Sequence, residues 1–222
     1  MKNIFPKILL TIVILAGIFF LTTVFQNNKA MKIAFLGDSI TKYGWVLENG
    51  YVRRVAQGLS LSGIHIKPIP AGISSNTSYD MLLRLDRDVL DKKPDVVFFM
   101  GGINDIFFNT VDLEGYKNNV NTIVNKIKQS GAKPIIINIT LITEDINTPQ
   151  NKRIDEYNEF LKEYTTQNNI QFIDINTIFK NELKKYNNPR YILTVDGVHL
   201  NDRGHQLLAD AILAEFLKNY KH

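Results

Sequence analysis

The sequence predicts an α/β protein: a three-layer sandwich with helices on both faces of a parallel sheet of about five strands. Two observations carry that expectation. Short apolar runs alternate along the chain with longer segments whose apolar residues fall at helical spacing, the pattern of successive βαβ units. One of those runs, VVFFM at Val96–Met100, is apolar at every position, so both faces of that strand are covered.

The elements follow in order. Residues 32–36 form the first apolar run, and Gly37-Asp38-Ser39 follows it directly, as at a strand ending in a tight turn. Residues 41–49 read as a loop that contains Trp45, the only tryptophan. Val52, Val55, Ala56 and Leu59 share one helical stripe that stops at Gly63. Residues 65–69 alternate as a short second strand, and 70–78, PAGISSNTS, are small residues expected in a loop. Residues 79–90 return to helix, with Leu82, Leu83 and Leu90 among the apolar positions. After VVFFM and Gly101-Gly102, Val120, Ile123, Val124 and Ile127 mark a helix ended by Gly131. A buried strand follows at 134–139, then a polar loop at 140–150 long enough to line a site. Ile154, Tyr157, Leu161 and Tyr164 define the next helix, 171–175 the fifth strand, and 176–190 a segment of mixed character. Leu208, Ala211, Ile212 and Phe216 face one side of the final helix.

The 222 residues suffice for one domain with a sizeable core. A formal charge of +4, without a dense block of Lys and Arg, argues against nucleic acid as partner. There is no cysteine, which excludes disulfides, a thiolate nucleophile, cysteine-bound zinc and a lipid-modified cysteine. Residues 1–30 are expected to be a separate segment. Lys2 and Lys7 precede an uncharged apolar run, 8–25. As a helix that run spans roughly 27 Å, near the thickness of the hydrocarbon layer. Its length and the Asn28 before Ala30 favour a retained membrane anchor over a cleaved signal peptide. The leading lysines place the domain at 31–222 outside the cytoplasm, and release after cleavage is the alternative.

Three loops should meet at the carboxyl ends of the strands, where open α/β sheets bind ligands. They carry Ser39, Gly72 and the run Gly102-Ile103-Asn104-Asp105, and Asp196-Gly197-Val198-His199 comes near the end of the chain. Acyl transfer needs these residue types. A serine hydroxyl attacks only when a base takes its proton, imidazole serves near neutral pH, and a carboxylate holds the correct tautomer. Fixed donors must meet the charge that grows on the carbonyl oxygen, and a Gly72 N–H and the Asn104 amide are candidates. Asp38 and Asp105 are expected to be structural, bonding nearby backbone N–H groups, and His65 and His205 to be surface or packing residues. No metal-ligand spacing or phosphate-cradling loop is present, so no cofactor is indicated.

These four blocks, in this order from about residue 33 to 199, resemble those of the SGNH (GDSL-type) serine hydrolases, whose fold is flavodoxin-like. The first block matches as Gly37-Asp38-Ser39-Ile40, with Ile for the usual Leu. The resemblance implies Ser39 as nucleophile, His199 as base, Asp196 as its orienting partner, and an oxyanion hole from the N–H groups of Ser39 and Gly72 with the Asn104 amide. The family often has glycine where Ser75 stands, which leaves the shape of that loop open. The function expected is ester hydrolysis through an acyl-enzyme, with removal of short acyl groups, acetyl above all, from a carbohydrate or cell-envelope glycan. Trp45 and the 140–150 loop suit a sugar-bearing substrate. The alternatives are a lysophospholipase or thioesterase, an O-acyltransferase with the same residues, and a non-catalytic binding module.

Overall fold

In the computed structural model, residues 30–220 are described, and the apolar 8–25 run lies outside them. The sheet has five parallel strands: β1 (Met31–Gly37), β2 (Ile66–Gly72), β3 (Val96–Met100), β4 (Lys133–Ile137) and β5 (Gln171–Ile173). Their order is β2-β1-β3-β4-β5, the flavodoxin-like arrangement in which the winding reverses between β1 and β3. Gly37 is in register with Gly72 on one side and Met100 on the other, so three strand ends stop at one level.

Eight helices among the described residues cover the sheet: α1 (Ser39–Val46), α2 (Tyr51–Leu61), α3 (Ser78–Asp88), α4 (Ile103–Phe108), α5 (Leu113–Gln129), α6 (Pro149–Gln167), α7 (Ile175–Leu183) and α8 (Asp202–Asn219). Right-handed crossovers put α1, α2, α7 and α8 on one face and α3 to α6 on the other. Between them lies the core, where Phe35 stacks on Phe98 with ring centroids 5.2 Å apart. No helix among the described residues is long and apolar enough to cross a membrane.

The expected loop at 41–49 is largely helix. Thr41 and Gly44 are weak helix formers, so α1 owes its existence to packing. The Thr41 and Tyr51 hydroxyls bond at 2.8 Å, and a Cβ on Gly44 would meet the Tyr51 ring at 2.5 Å. β2 also runs past its expected end, through Pro70 to Gly72. Its prolines are tolerated because β2 is an edge strand. The Ile73 N–H turns inward to the Gly37 carbonyl, and Pro68 and Pro70 fall on the opposite alternation, facing the open edge. Within 176–190, Asp174 caps α7 through the Thr177 N–H at 3.0 Å.

The loop at 140–150 turns inward, with Thr140, Leu141, Ile142 and Glu144 buried. Asn151, at the start of α6, clamps it by accepting from the Ile142 N–H and donating to the carbonyls of Thr143 and Asp145. Glu144, only 4% exposed, receives the N–H groups of Ile192 (2.7 Å), Leu193 (2.7 Å) and Thr194 (2.8 Å) and the Thr194 hydroxyl (2.8 Å). Thr194 Oγ1 accepts in turn from the Gly197 N–H, and the Thr143 N–H donates to the Gly197 carbonyl at 2.8 Å. One carboxylate thus anchors the irregular stretch that carries Asp196 and His199.

Two expectations follow. Glu144→Ala leaves buried backbone donors without an acceptor, which should lower stability by about 2–4 kcal/mol and Tm by roughly 5–15 °C. Glu144→Gln, which keeps one acceptor oxygen, should lose less, and an unchanged Tm for Glu144→Ala by calorimetry contradicts the anchor. The second concerns His205, which is 1% exposed, stacks on Tyr51 at 6.2 Å and has no hydrogen-bond partner for either ring nitrogen among the described residues. Burial, with Arg54 nearby, lowers its pKa to about 4. The unfolded ring takes up its proton near pH ~6.5. Stability contributed by the neutral ring is therefore complete above ~6.5 and lost as pH falls toward 4. The Tm of His205→Phe should fall less than that of the wild type between pH 7 and 4.5; parallel curves argue against the assignment.

Candidate active site

Ser39 is the first residue of α1, immediately beyond β1. Asp38 caps the helix, its Oδ1 accepting the Ile40 N–H at 2.9 Å. The turn between β1 and α1 is too tight for a side chain at position 37. A Cβ there would lie 2.1 Å from Thr41 Oγ1 and 2.8 Å from the Met100 carbonyl. Burial pushes the Asp38 carboxyl up to about 7, against the pull of the Ile40 N–H and His199. The group beneath the serine therefore carries less negative charge near neutrality than an exposed carboxylate.

The structure brings Ser39, Asp196 and His199 together from opposite ends of the domain. His199 Nε2 lies 2.9 Å from Ser39 Oγ, and His199 Nδ1 lies 2.6 Å from Asp196 Oδ2. Asp196 Oδ1 accepts the backbone N–H groups of Val198 (3.0 Å) and His199 (2.8 Å). Burial alone would raise the Asp196 pKa. The imidazole and the two N–H groups outweigh it and hold the carboxyl below its usual range. An ionised Asp196 only accepts, so it fixes the proton on Nδ1 and leaves Nε2 as an acceptor toward Ser39. Tyr43 meets the imidazole edge-on at 5.4 Å. Gly197, at φ 97°, passes close to Thr143, where a Cβ would be 3.3 Å from its Cα.

The cleft over Ser39 has a volume of about 350 Å3 and is lined by Ser39, Tyr43, Ser74, Ser75, Ile103, Asn104, Phe107, Phe108, Asp196, Val198 and His199. Asn104 lies on α4, and its amide donates to the Asn76 carbonyl at 2.9 Å. Asp105 accepts the Ser78 N–H at 2.8 Å and the Ser78 hydroxyl, tying α4 to the start of α3. Burial raises its pKa, with the Ser78 bonds opposing. Asp38 and Asp105 thus make the backbone contacts expected of them.

Gly72 is not in that lining. It ends β2, and its bareness answers to α1: a Cβ would sit 2.2 Å from the Lys42 nitrogen and 2.6 Å from the Thr41 carbonyl carbon. The residues of this loop at the cleft are Ser74 and Ser75, the latter held at φ 64°, a left-handed conformation that glycine adopts without strain. Trp45 is likewise outside the cleft, with the Arg53 guanidinium 4.6 Å above its ring. Two supporting residues were not anticipated. One is Glu144. The other is Arg84, buried on α3, which donates to the Gly37 carbonyl at 2.8 Å and to Asn76 Oδ1 at 2.6 Å, joining β1 to the loop of Ser75. Nothing in the residues flanking Glu144 or Arg84 in the sequence signals either role. Among the described residues no group of three or more His, Asp or Glu is placed to hold a metal ion.

Comparison with known proteins bears on the fold and the family. The model of the GDSL-like Lipase/Acylhydrolase family matches residues 35–207. An acetylxylan esterase of Geobacillus stearothermophilus is 31% identical over 210 residues, covering 83% of this chain and 93% of the relative. An uncharacterized lipoprotein, YqeF, of Bacillus subtilis (strain 168) is 34% identical over 79 residues, about a third of each chain. Among solved structures, the acetyl xylan esterase AlAXEase superposes with a TM-score of 0.75 at 31% identity, covering 83% of this chain and 98% of that one. Axe2, an acetylxylan esterase of Geobacillus stearothermophilus, gives 0.76 at 29% identity, covering 83% and 93%. Structures of catalytic mutants of Axe2 replace a serine, an aspartate or a histidine by alanine. The chain belongs to the GDSL-like lipase/acylhydrolase family and is a carboxylic ester hydrolase.

Proposed function

We propose that this chain is a serine esterase that removes acetyl groups from a carbohydrate through an acyl-enzyme. The observation that carries the mechanism is the unbroken series Asp196–His199–Ser39, with contacts of 2.6 and 2.9 Å. Ser39 Oγ attacks the ester carbonyl while His199 Nε2 takes its proton, and Asp196 stabilises the imidazolium that forms. The same imidazolium returns the proton to the departing sugar oxygen. Water, deprotonated by His199, then releases acetate and regenerates the serine.

For the oxyanion we assign the Ser39 N–H, one of the first-turn donors that an α-helix leaves without an internal partner, and the Asn104 amide. The third donor was expected from Gly72. The N–H of Ser75 is the better candidate, because Ser75 lines the cleft and Gly72 does not. The acetyl reading rests on the two acetylxylan esterase relatives, each covering 83% of this chain. A second reading has its own support: Ile103, Phe107, Phe108 and Val198 form an apolar wall that would also accept a longer acyl chain. Residues 1–30 we take as the segment that holds the domain 31–222 at the outside of a membrane, consistent with the partial lipoprotein relative. Lipid on cysteine is excluded as the anchor, because the chain has none.

A series of p-nitrophenyl esters from acetate to palmitate, assayed beside acetylated xylo-oligosaccharides, separates the two substrate readings. Preference for acetate and release of acetate from the sugars supports deacetylation, whereas preference for long chains supports the second reading. Ser39→Ala should lose turnover on the order of a millionfold while keeping its fold, and near-normal turnover removes serine catalysis. Asn104→Ala should lower kcat by ~10²–10³ with little change in KM. An early-melting variant with normal kcat would assign Asn104 to the fold alone.

A further inference from the structure

The cleft over Ser39 is continued by a second hollow of about 280 Å3, and the two share Asp196. Its wall includes Thr143, Asp145, Asn188, Arg190 and Tyr191. Asp145, Asn188 and Pro189 also border a third hollow of about 300 Å3, which leads on to Lys184 and Tyr186. A concave path therefore leads away from Ser39 past Asp196, lined by residues other than Phe107 and Phe108.

Tyr191 stands beside this path with an unusual backbone. Its φ is 58°, and Asn188 is at 56°. Asparagine tolerates this region, but a bulky aromatic residue there is an outlier that persists only where its surroundings hold it. They do: the Asn201 amide donates to the Tyr191 carbonyl at 3.1 Å, and the next three N–H groups are captured by Glu144. The ring gains no burial in return, being 64% exposed. A tightly held backbone thus presents an exposed aromatic side chain at a fixed place next to the catalytic loop. Around it are a hydroxyl (Thr143), a carboxamide (Asn188), a carboxylate (Asp145) and a guanidinium (Arg190). An aromatic face ringed by donors and acceptors of both signs suits a neutral sugar, which offers C–H groups on one face and hydroxyls at its rim. An acyl chain would leave these polar groups unpaired, and a purely anionic ligand would meet Asp145.

We propose that Tyr191 and this hollow bind a second sugar residue of a carbohydrate chain, adjacent to the one whose ester is cleaved. The proposal rests on the carbohydrate-ester reading above and adds that the substrate is an oligomer or polymer, recognised on the Asp196 side of the triad.

The test compares kcat/KM for acetylated xylose and acetylated xylo-oligosaccharides up to the hexamer with that for p-nitrophenyl acetate, which carries no sugar. In the wild type the ratio should rise from the monosaccharide, which cannot reach the second subsite, to the disaccharide and longer chains. Tyr191→Asn removes the ring with a residue suited to φ 58°, and should lower the hexamer-to-p-nitrophenyl acetate ratio roughly tenfold, mainly through KM, the scale of one aromatic contact. Tyr191→Phe, which keeps the ring, should retain most of the ratio. A ratio independent of length in the wild type, or one that Tyr191→Asn leaves unchanged, overturns the second subsite and leaves sugar deacetylation standing. So does an equal loss on both substrates with a lowered kcat, which would make Tyr191 a support for the catalytic loop only. A wild type that hydrolyses long-chain esters and ignores acetylated sugars of every length overturns the carbohydrate reading and this proposal with it.

Discussion

A carboxylate buried under its own domain is stable only if its oxygens are fully occupied, and in this protein that requirement organises the site. Glu144 meets it with three successive backbone N–H groups and one hydroxyl, all from residues 192–194. The stretch it holds has neither helix nor strand between α7 and α8, apart from the single bridge of Thr194 to Leu200. Without regular hydrogen bonding such a segment has no conformation of its own. Anchored at Glu144, it turns at Gly197, closes on itself through the Val195 N–H and the His199 carbonyl, and delivers Asp196 and His199 as one unit.

The other half of the site needs no such device. Ser39 and Asn104 sit at the openings of α1 and α4, directly beyond β1 and β3, and those strands are paired neighbours at the point where the winding reverses. Parallel pairing alone brings their ends to one level. Finer adjustment comes from polar contacts across the strand ends: Arg84 between the Gly37 carbonyl and Asn76, and Asp105 with Ser78. The two halves meet at the 2.9 Å contact between His199 and Ser39, the join on which the proposed mechanism depends. Nearly all the tertiary structure serves to make that distance short.

The cleft itself has two characters. Phe107, Phe108 and Val198 make one wall apolar, and the path past Asp196 toward Tyr191 is polar. An acetyl group is too small to need the whole apolar wall. Exposed aromatic side chains serve equally well as flat surfaces for a sugar ring, so the wall is compatible with a carbohydrate lying across the serine.

What the sequence determined by itself was the alternation of apolar runs and helical stripes, and with it the parallel sheet, its covered faces and the loops that meet at its carboxyl end. Apolar periodicity reports burial along one element, and that is a local property. Ser39, Asp196 and His199, which the structure brings into contact, stood out for a related reason, because each lies in a short block whose residue types have few uses together. Tertiary structure decided the rest. α1 forms because Tyr51 packs on Gly44 and bonds Thr41, and nothing within residues 39–46 announces it. Gly72 is glycine because a helix backbone passes over it, so the loop's place at the cleft goes to Ser74 and Ser75. Glu144 and Arg84 look like surface charges in the sequence. Their burial depends on backbone groups some 50 residues away, and no local pattern encodes where a distant carbonyl or N–H will be left in need of a partner.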